Sequence, residues 1–468
     1  MRELATLSLS ELAERIRKKE VSPVEATQGY LDRISAYNDK VNAFVTLTEK
    51  EALAAAREAE AAIRRGQYRG PLHGIPIGHK DLYWTRGVRT TAGSRVLEHF
   101  VPTEDATVVA RYREAGAIML GKLNTHEFAY GPTNEHSLFG PTRNPWDLDR
   151  TTGGSSGGSG AAIALALCAG ATGSDTGGSI RMPAACCGVV GLKPTYGRAS
   201  RHGIFPLCWT MDHPGPVTRT VRDTALMLQP IAGWDPKDPA TARRPVPDYA
   251  AALTEPINGI RVGVPTEYFY DRADPAVEAI VRTAVRKLAD LGARVEEVTI
   301  PHISQAAAAA LTIYLAEATA YHDDTLASRR DLYTAQVRGF LELGTYVLAK
   351  DYLHAQRYRQ LLGRGLARLF KQVDVLATPT LPITATTIGQ QMITVRGVEQ
   401  TVFSALLRNT EPFNLTGLPA LALPCGFSPD RLPVSMQVIG RPFDEVTVLR
   451  VGHAYERATD WHRQRPSV

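Results

Sequence analysis

Two glycine- and serine-rich segments lie close together in the chain: Gly153-Gly154-Ser155-Ser156-Gly157-Gly158-Ser159 and Gly173-Ser174-Asp175-Thr176-Gly177-Gly178-Ser179-Ile180-Arg181. The run between them, Gly160–Gly170, is apolar on all sides, which predicts a buried helix. One such segment alone reads as a flexible linker. Two of them around a buried helix do not, because a tether does not sit inside a core. Glycine lets the backbone approach a reacting group closely. Successive N–H groups at Thr176, Gly177, Gly178 and Ser179 could then cradle a negative oxygen. A nucleophilic serine also needs a base, and no histidine is near these segments in sequence. A lysine serves if desolvation keeps it neutral. Lys80, in Gly74-Ile75-Pro76-Ile77-Gly78-His79-Lys80-Asp81, ends an apolar strand and fits that requirement.

Other chemistries find less support. Gly116-Ala117-Ile118-Met119-Leu120-Gly121-Lys122-Leu123 nearly matches a phosphate-binding loop, but its interior is strand-like and Leu123 replaces the required Ser/Thr. Gly154-Ser155-Ser156-Gly157-Gly158 resembles a G-x-S-x-G elbow by letter, but turn-forming residues Asn144–Arg150 precede it where a strand is needed. The histidines show no paired ligand spacing, so neither a metal nor another cofactor is expected; His79 and His126 read as structural polar groups. The five cysteines, Cys168, Cys186, Cys187, Cys208 and Cys425, form no C-x-x-C pair and read as buried reduced thiols.

These groups need a scaffold. At 468 residues, 44% hydrophobic and 22% charged, the composition is that of a folded globular protein. The net charge of +5 is too small over this length to point to an acidic partner. Met1–Glu20 has no apolar stretch of a secretory signal, and Gly160–Gly173 is too short to span a bilayer, so a cytoplasmic protein is expected. Capping boxes at Ser8/Glu11 and Ser22/Glu25, and the alanine-rich Lys50–Arg65, predict N-terminal helices over residues 1–70. From 71 to 229 short apolar strands alternate with helices. Expected strands are Ile75–His79, Ala117–Leu120, Gly188–Lys193, Ile260–Val264, Val295–Ile300, Asp374–Ala377, Ala420–Pro424 and Val434–Ile439, with helices at Thr107–Ala115 and Ala276–Leu291. Residues 230–371 are more helical and read as a cap or insertion, and 372–468 as a return to the core. Alternation of this kind implies an α/β fold. The basic stretch Arg357, Arg359, Arg364, Arg368 and Lys371 lacks aromatic interleaving and reads as a solvated face rather than a nucleic-acid patch.

At the level of whole motifs the sequence resembles the amidase signature family. The carriers are GGSSGGSGAA at 153–162, GSDTGGSIRMPAACCGVVGLKPTYGR at 173–198 and GIPIGHKDL at 74–82, supported by 105–131, GPTRNPWD at 140–147 and PFNLTGLPALALPCGF at 412–427. The resemblance implies one amidase signature domain over 1–468, with a large central mixed sheet covered by helices on both faces. It also implies a Ser–Ser–Lys triad: Ser179 as nucleophile, Ser155, after a cis peptide bond, as bridge, and Lys80 as base. Thr176, Gly177, Gly178 and Ser179 would supply oxyanion-binding amides, with Asp175 and Arg181 bracing the loop and Ser156 and Ser159 supporting it. Tyr130, Gly131, Phe205 and Trp209, with Phe139, Ile204 and Met211, lie in segments expected to line a pocket, which suggests an apolar or aromatic substrate.

Two activities compete within the family. One is a stand-alone amidase for small amides, with esters and carbamates open to the same acyl chemistry. The other is the glutaminase component of a tRNA-dependent amidotransferase. The acidic residue that this component uses for the glutamine amino group, in a segment resembling N-D-x-x-T-I-P, has no counterpart in Leu406–Pro412. Met211-Asp212-His213-Pro214 also departs from its usual Leu-Asp-Gln. The expected reading is therefore the stand-alone amidase, with a small-molecule amide as partner, no nucleic acid or membrane, and a homo-oligomer left open.

Overall fold

The computed structural model describes residues 6–468. Eleven strands form its main sheet: β1 (Phe44–Leu47), β2 (Pro76–Lys80), β3 (Ile118–Leu123), β4 (Gly170–Asp175), β5 (Val190–Lys193), β6 (His213–Thr218), β7 (Arg261–Pro265), β8 (Arg294–Val298), β9 (Val375–Pro379), β10 (Ala420–Phe427) and β11 (Pro433–Gly440). In space they run β1-β3-β2-β4-β6-β5-β10-β11-β9-β7-β8. The pairs β2–β3, β2–β4, β7–β9 and β7–β8 are parallel and the others antiparallel, so the sheet is mixed. Every position of β4, β5, β6 and β11 is buried. Strands buried at every position require helices on both faces. This is the α/β class expected of the sequence.

Local chemistry explains the helix starts. Ser8 and Glu11 close a reciprocal capping box before Leu9–Arg17, and Ser22 and Glu25 do the same before Pro23–Val41 with proline at its first position. All eight strands expected from apolar runs are present. Three were not visible in the sequence: β1, β4 and β6. Strand β4 (GATGSD) consists of weak strand formers and is created by pairing with β2 and β6. The buried helix between the Gly/Ser segments spans Gly157–Ala164, shorter than expected, because the chain must turn at Leu165–Ala169 to enter β4. Residues 230–371 contribute β7 and β8 as well as helices Pro275–Asp290, Ala306–Arg329, Ala335–Gly344 and Ala349–Leu369.

One packing feature sets the position of the second Gly/Ser segment. Ile180, immediately after Ser179, lies against three glycines of neighbouring strands. A methyl added at Gly173, Gly191 or Gly215 would meet Ile180 side-chain carbons at 2.8, 2.8 and 3.0 Å. The missing side chains let the start of helix Arg181–Cys187 sit directly on the sheet, and Ser179 is placed by the packing of its neighbour.

Gly173→Ala is expected to destabilise by about 1–3 kcal/mol through overpacking. Ile180→Ala should cost about 2–5 kcal/mol as a large-to-small core change. The double variant should lose less than the sum, because Ile180→Ala removes the carbon that the new methyl meets. Denaturation of all four proteins checks this, and strict additivity contradicts it.

Candidate functional site

Lys80 is the last residue of β2 and is fully buried. Its Nζ lies 2.7 Å from Ser155 Oγ and 2.9 Å from Ser174 Oγ, and its backbone N–H donates to Thr172 Oγ1 at 2.9 Å. Burial drives its pKa well below that of an ordinary lysine, with Asp175 and Asp212 pulling only partly the other way. Two other lysines are equally buried but differ in kind. Lys122 Nζ donates to the Tyr83 carbonyl and to Thr85 and Thr90 Oγ1, and Lys193 Nζ donates to the Pro194 and Leu418 carbonyls. A carbonyl can only accept, which suits an ammonium. The partners of Lys80 Nζ are hydroxyls, which can also donate to a neutral amine's lone pair.

The first Gly/Ser segment brings Ser155 to this amine. The Gly154–Ser155 peptide is cis, as the resemblance implied. His126 N–H donates to the Ser155 carbonyl at 3.1 Å, and Ser156 N–H donates to the Ser179 carbonyl at 3.2 Å. The two segments therefore touch through their backbones. Ser156 Oγ bridges the carbonyl and the N–H of Ser174, both at 3.3 Å, and Ser159 Oγ donates to the Thr172 carbonyl at 2.8 Å. Both side chains tie helix Gly157–Ala164 to β4, the supporting place expected of them.

Asp175 and Arg181 bracket the turn that carries Thr176–Ser179. The Asp175 carboxylate accepts from the backbone N–H groups of Ile180 and Arg181 and from the Arg181 guanidinium, at 3.0–3.3 Å. Asn414 Nδ2 donates to Asp175 Oδ1 at 2.8 Å, while Asn414 Oδ1 and Gln437 Oε1 accept from Arg181. Burial alone would raise the Asp175 pKa, but the guanidinium outweighs it and holds the carboxyl well below the usual carboxylate range. Gly178 has φ of +138°, and a methyl there would collide with Thr410 Oγ1, so the turn tolerates no side chain at that point. Thr410 Oγ1 donates to the Gly177 carbonyl. On the other side Thr176 Oγ1 donates to Asp212 Oδ1 at 2.6 Å. Burial lifts Asp212 to about 6, opposed by the Thr176 hydrogen bond and the N–H groups of Cys208 and Leu207.

Two cavities flank this turn. A narrow one of about 20 Å³ is lined by Ser179, Gly177, Tyr130, Gly131, Leu407 and Tyr314, among others. A wider cleft of about 360 Å³ is lined by Ser174, Thr176, Trp84, Phe205, Trp209 and Tyr321, among others. They share Ala129 and Leu207 in their walls. Tyr130 and Gly131 thus border the first cavity, and Phe205, Trp209 and Ile204 the second. Phe139 and Met211 line neither: Arg89 covers the Phe139 ring and Met211 is fully buried. Ser174, Asp212, Thr410, Asn414 and Gln437 escaped the sequence reading as site residues. Most of them lay inside or beside matched motifs, but only the fold reveals their partners. His79 and His126 are buried, and burial holds both near 3, unprotonated at neutral pH. All five cysteines are free and buried. Among the described residues no helix is long and apolar enough to cross a membrane.

Comparison with known proteins agrees with this geometry. The Amidase family model matches residues 25–449. The chain is 47% identical to an amidase of Pseudomonas putida, over 100% of its own length and 99% of that protein's. It is 46% identical to the amidase-like component of the glutamyl-tRNA(Gln) amidotransferase of Moorella thermoacetica, with the same coverage of both. A solved structure described as a vestigial protein complex that reveals the origins of an s-triazine catabolic enzyme superposes with a TM-score of 0.94 at 36% identity, covering 99% of this chain and 100% of that one. With its matched motifs, its mixed eleven-stranded sheet and these near full-length relatives, the chain belongs to the amidase signature family. It is an enzyme of amide-bond hydrolysis.

Glu411 generates a stability prediction. It is buried, and burial raises its carboxyl to about 8, with a hydrogen bond to Tyr314 opposing. Its folded pKa lies above the unfolded value of 4.5, so between those values the folded state holds a proton the unfolded state has lost, and stability falls as pH rises through that window. Glu411→Gln removes the ionisation. It should gain on the wild type by a few kcal/mol, roughly, between pH 5 and pH 8. Denaturation midpoints of both proteins across that range check this; parallel curves contradict it.

Proposed function

We propose that the chain is an amidase acting by itself on a small apolar or aromatic amide, through an acyl-enzyme on Ser179 with Lys80 as base and Ser155 as relay. The observation that carries the choice of substrate is the lining of the cavity at Ser179. Its side chains are those of Tyr130, Met182, Leu207, Tyr314, Phe403 and Leu407, together with Ala129, Pro132 and two glycines, and none is charged. Leu407 comes from the stretch in which the glutaminase-type carboxylate is missing. Glu411, the one carboxyl of that stretch, hydrogen-bonds Tyr314 instead of lining the cavity. An amino acid's ammonium and carboxylate would enter such a cavity without counter-charges, at a high desolvation cost.

The proposed reaction follows from the proton inventory. Neutral Lys80 takes the hydroxyl proton of Ser155 as Ser155 takes that of Ser179, and Ser179 Oγ attacks the acyl carbon. Negative charge gathers on the former carbonyl oxygen, where the amides of Thr176–Ser179 would meet it. The relay then runs in reverse: a proton passes to the nitrogen, the C–N bond breaks and the amine leaves. Water, deprotonated by the same route, attacks the ester and frees the acid and Ser179. Asp175 and Arg181 hold the turn, and Asp212 orients Thr176, without exchanging protons with substrate.

The glutaminase reading rests on the 46% identity to an amidotransferase component. The two readings separate on a substrate panel. The purified chain should hydrolyse aryl anilides far better than glutamine; glutamine hydrolysis with no anilide turnover overturns the amidase reading. Ser179→Ala and Lys80→Ala should each lower kcat on the best anilide by about 10⁴-fold or more. Undiminished turnover in either variant contradicts the triad.

A further inference from the structure

The wide cleft beside the serine turn holds two polar atoms that the protein leaves without a partner. His213, at the start of β6, is 1% exposed. Its Nδ1 lies 2.6 Å from the Met211 carbonyl and 3.1 Å from the Asp175 carbonyl. Both are acceptors, so Nδ1 carries the hydrogen, and in the neutral ring Nε2 is a bare acceptor. Burial, reinforced by Lys193, keeps the ring neutral. No group bonds Nε2. Trp84 borders the same cleft, edge-on to Phe205 with its backbone N–H on the Gly203 carbonyl at 2.8 Å, and its indole N–H is also unbonded. Buried polar groups are rarely left unpaired.

The charged groups of this cleft are, by contrast, already matched. Arg201 forks onto Asp238 and also bonds Tyr196 Oη. Lys237 pairs with Glu104 at 3.1 Å, and His202 Nε2 faces the same carboxylate at 3.5 Å. Asp212 is taken by Thr176 and two backbone N–H groups. What the cleft offers a ligand is therefore one neutral donor and one neutral acceptor between aromatic walls at Phe205, Trp209 and Tyr321.

Resting on the amidase reading above, we infer that this cleft is a subsite for a second amide or urea group of the substrate, whose carbonyl accepts from Trp84 Nε1–H and whose N–H donates to His213 Nε2. A planar amide presents that pair of groups without charge, and its flat face suits the aromatic walls. His213 and Trp84 are specificity-determining residues of the enzyme and take no part in bond cleavage. His213 stands where the sequence departs from the glutaminase-type Leu-Asp-Gln, which fits a substrate other than glutamine.

The test uses aryl anilides in which one internal amide is exchanged for two methylenes, once in the acyl half and once in the amine half. The wild type should favour the amide-bearing member of one pair by about tenfold in kcat/KM, the scale of one neutral hydrogen bond. Trp84→Phe and His213→Leu should each collapse that preference, while His213→Gln, which keeps an acceptor, should retain most of it. Unfolding midpoints identify a variant that has lost its fold, and Trp84→Phe, which deletes only an N–H-bearing edge, carries the test if His213→Leu does. Anilide turnover with no preference in either pair, or a preference that survives Trp84→Phe, overturns the subsite while leaving the amidase reading in place. No anilide turnover at all overturns that reading and the subsite with it.

Discussion

An amine that cannot reach water loses much of its hold on a proton, and the rest of this structure is arranged around one such amine. Lys80 ends β2 with its Nζ between the hydroxyls of Ser155 and Ser174, fully buried. Desolvation favours the neutral form, and hydroxyl partners can donate to the lone pair that the neutral form exposes. Lys122 and Lys193 are no less buried, but their carbonyl partners accept hydrogens and reward the charged form. Burial alone therefore does not make a base; the direction in which neighbouring hydrogen bonds can run decides it.

The surrounding architecture keeps that amine dry and its two serine loops in register. Pairing of β4 with β2 and β6 places Thr172 and Ser174 against Lys80, and helix Gly157–Ala164 returns the first loop over the same strand. The buried Asp175–Arg181 pair would be costly alone, but Asn414 and Gln437 satisfy its remaining donors and acceptors. Thr410 and Tyr314 then close over Gly177 and Gly178 from segments far along the chain. The second loop is thus held by the sheet below, through Ile180, and by helical segments above.

Much of this was legible in the sequence, for identifiable reasons. Apolar runs marked eight of the strands, and capping boxes marked the first helices, because those signals are local. Lys80, Ser155 and Ser179 were legible because glycine clusters and a lysine ending an apolar strand are unusual enough to demand a chemical reason. Strands β4 and β6 were not, since GATGSD and HPGPVT owe their extended form to their neighbours in the sheet rather than to their own propensities. Asp212 and His213 were seen only as departures from a family pattern. Their roles depend on Thr176 and on the cleft, contacts that sequence spacing does not encode.

The central claim is that Lys80 is a neutral amine at neutral pH, and it is tested most directly by titrating that one nitrogen. With ¹⁵N-labelled lysine and Lys80→Arg to assign the signal, Nζ of Lys80 should change its chemical shift at a pH well below the 10.5 of an ordinary lysine, and should be uncharged where the enzyme is active. Titration at or above 10.5 would mean that the buried group remains an ammonium, and the account of Ser155 and Ser179 activation would fail with it.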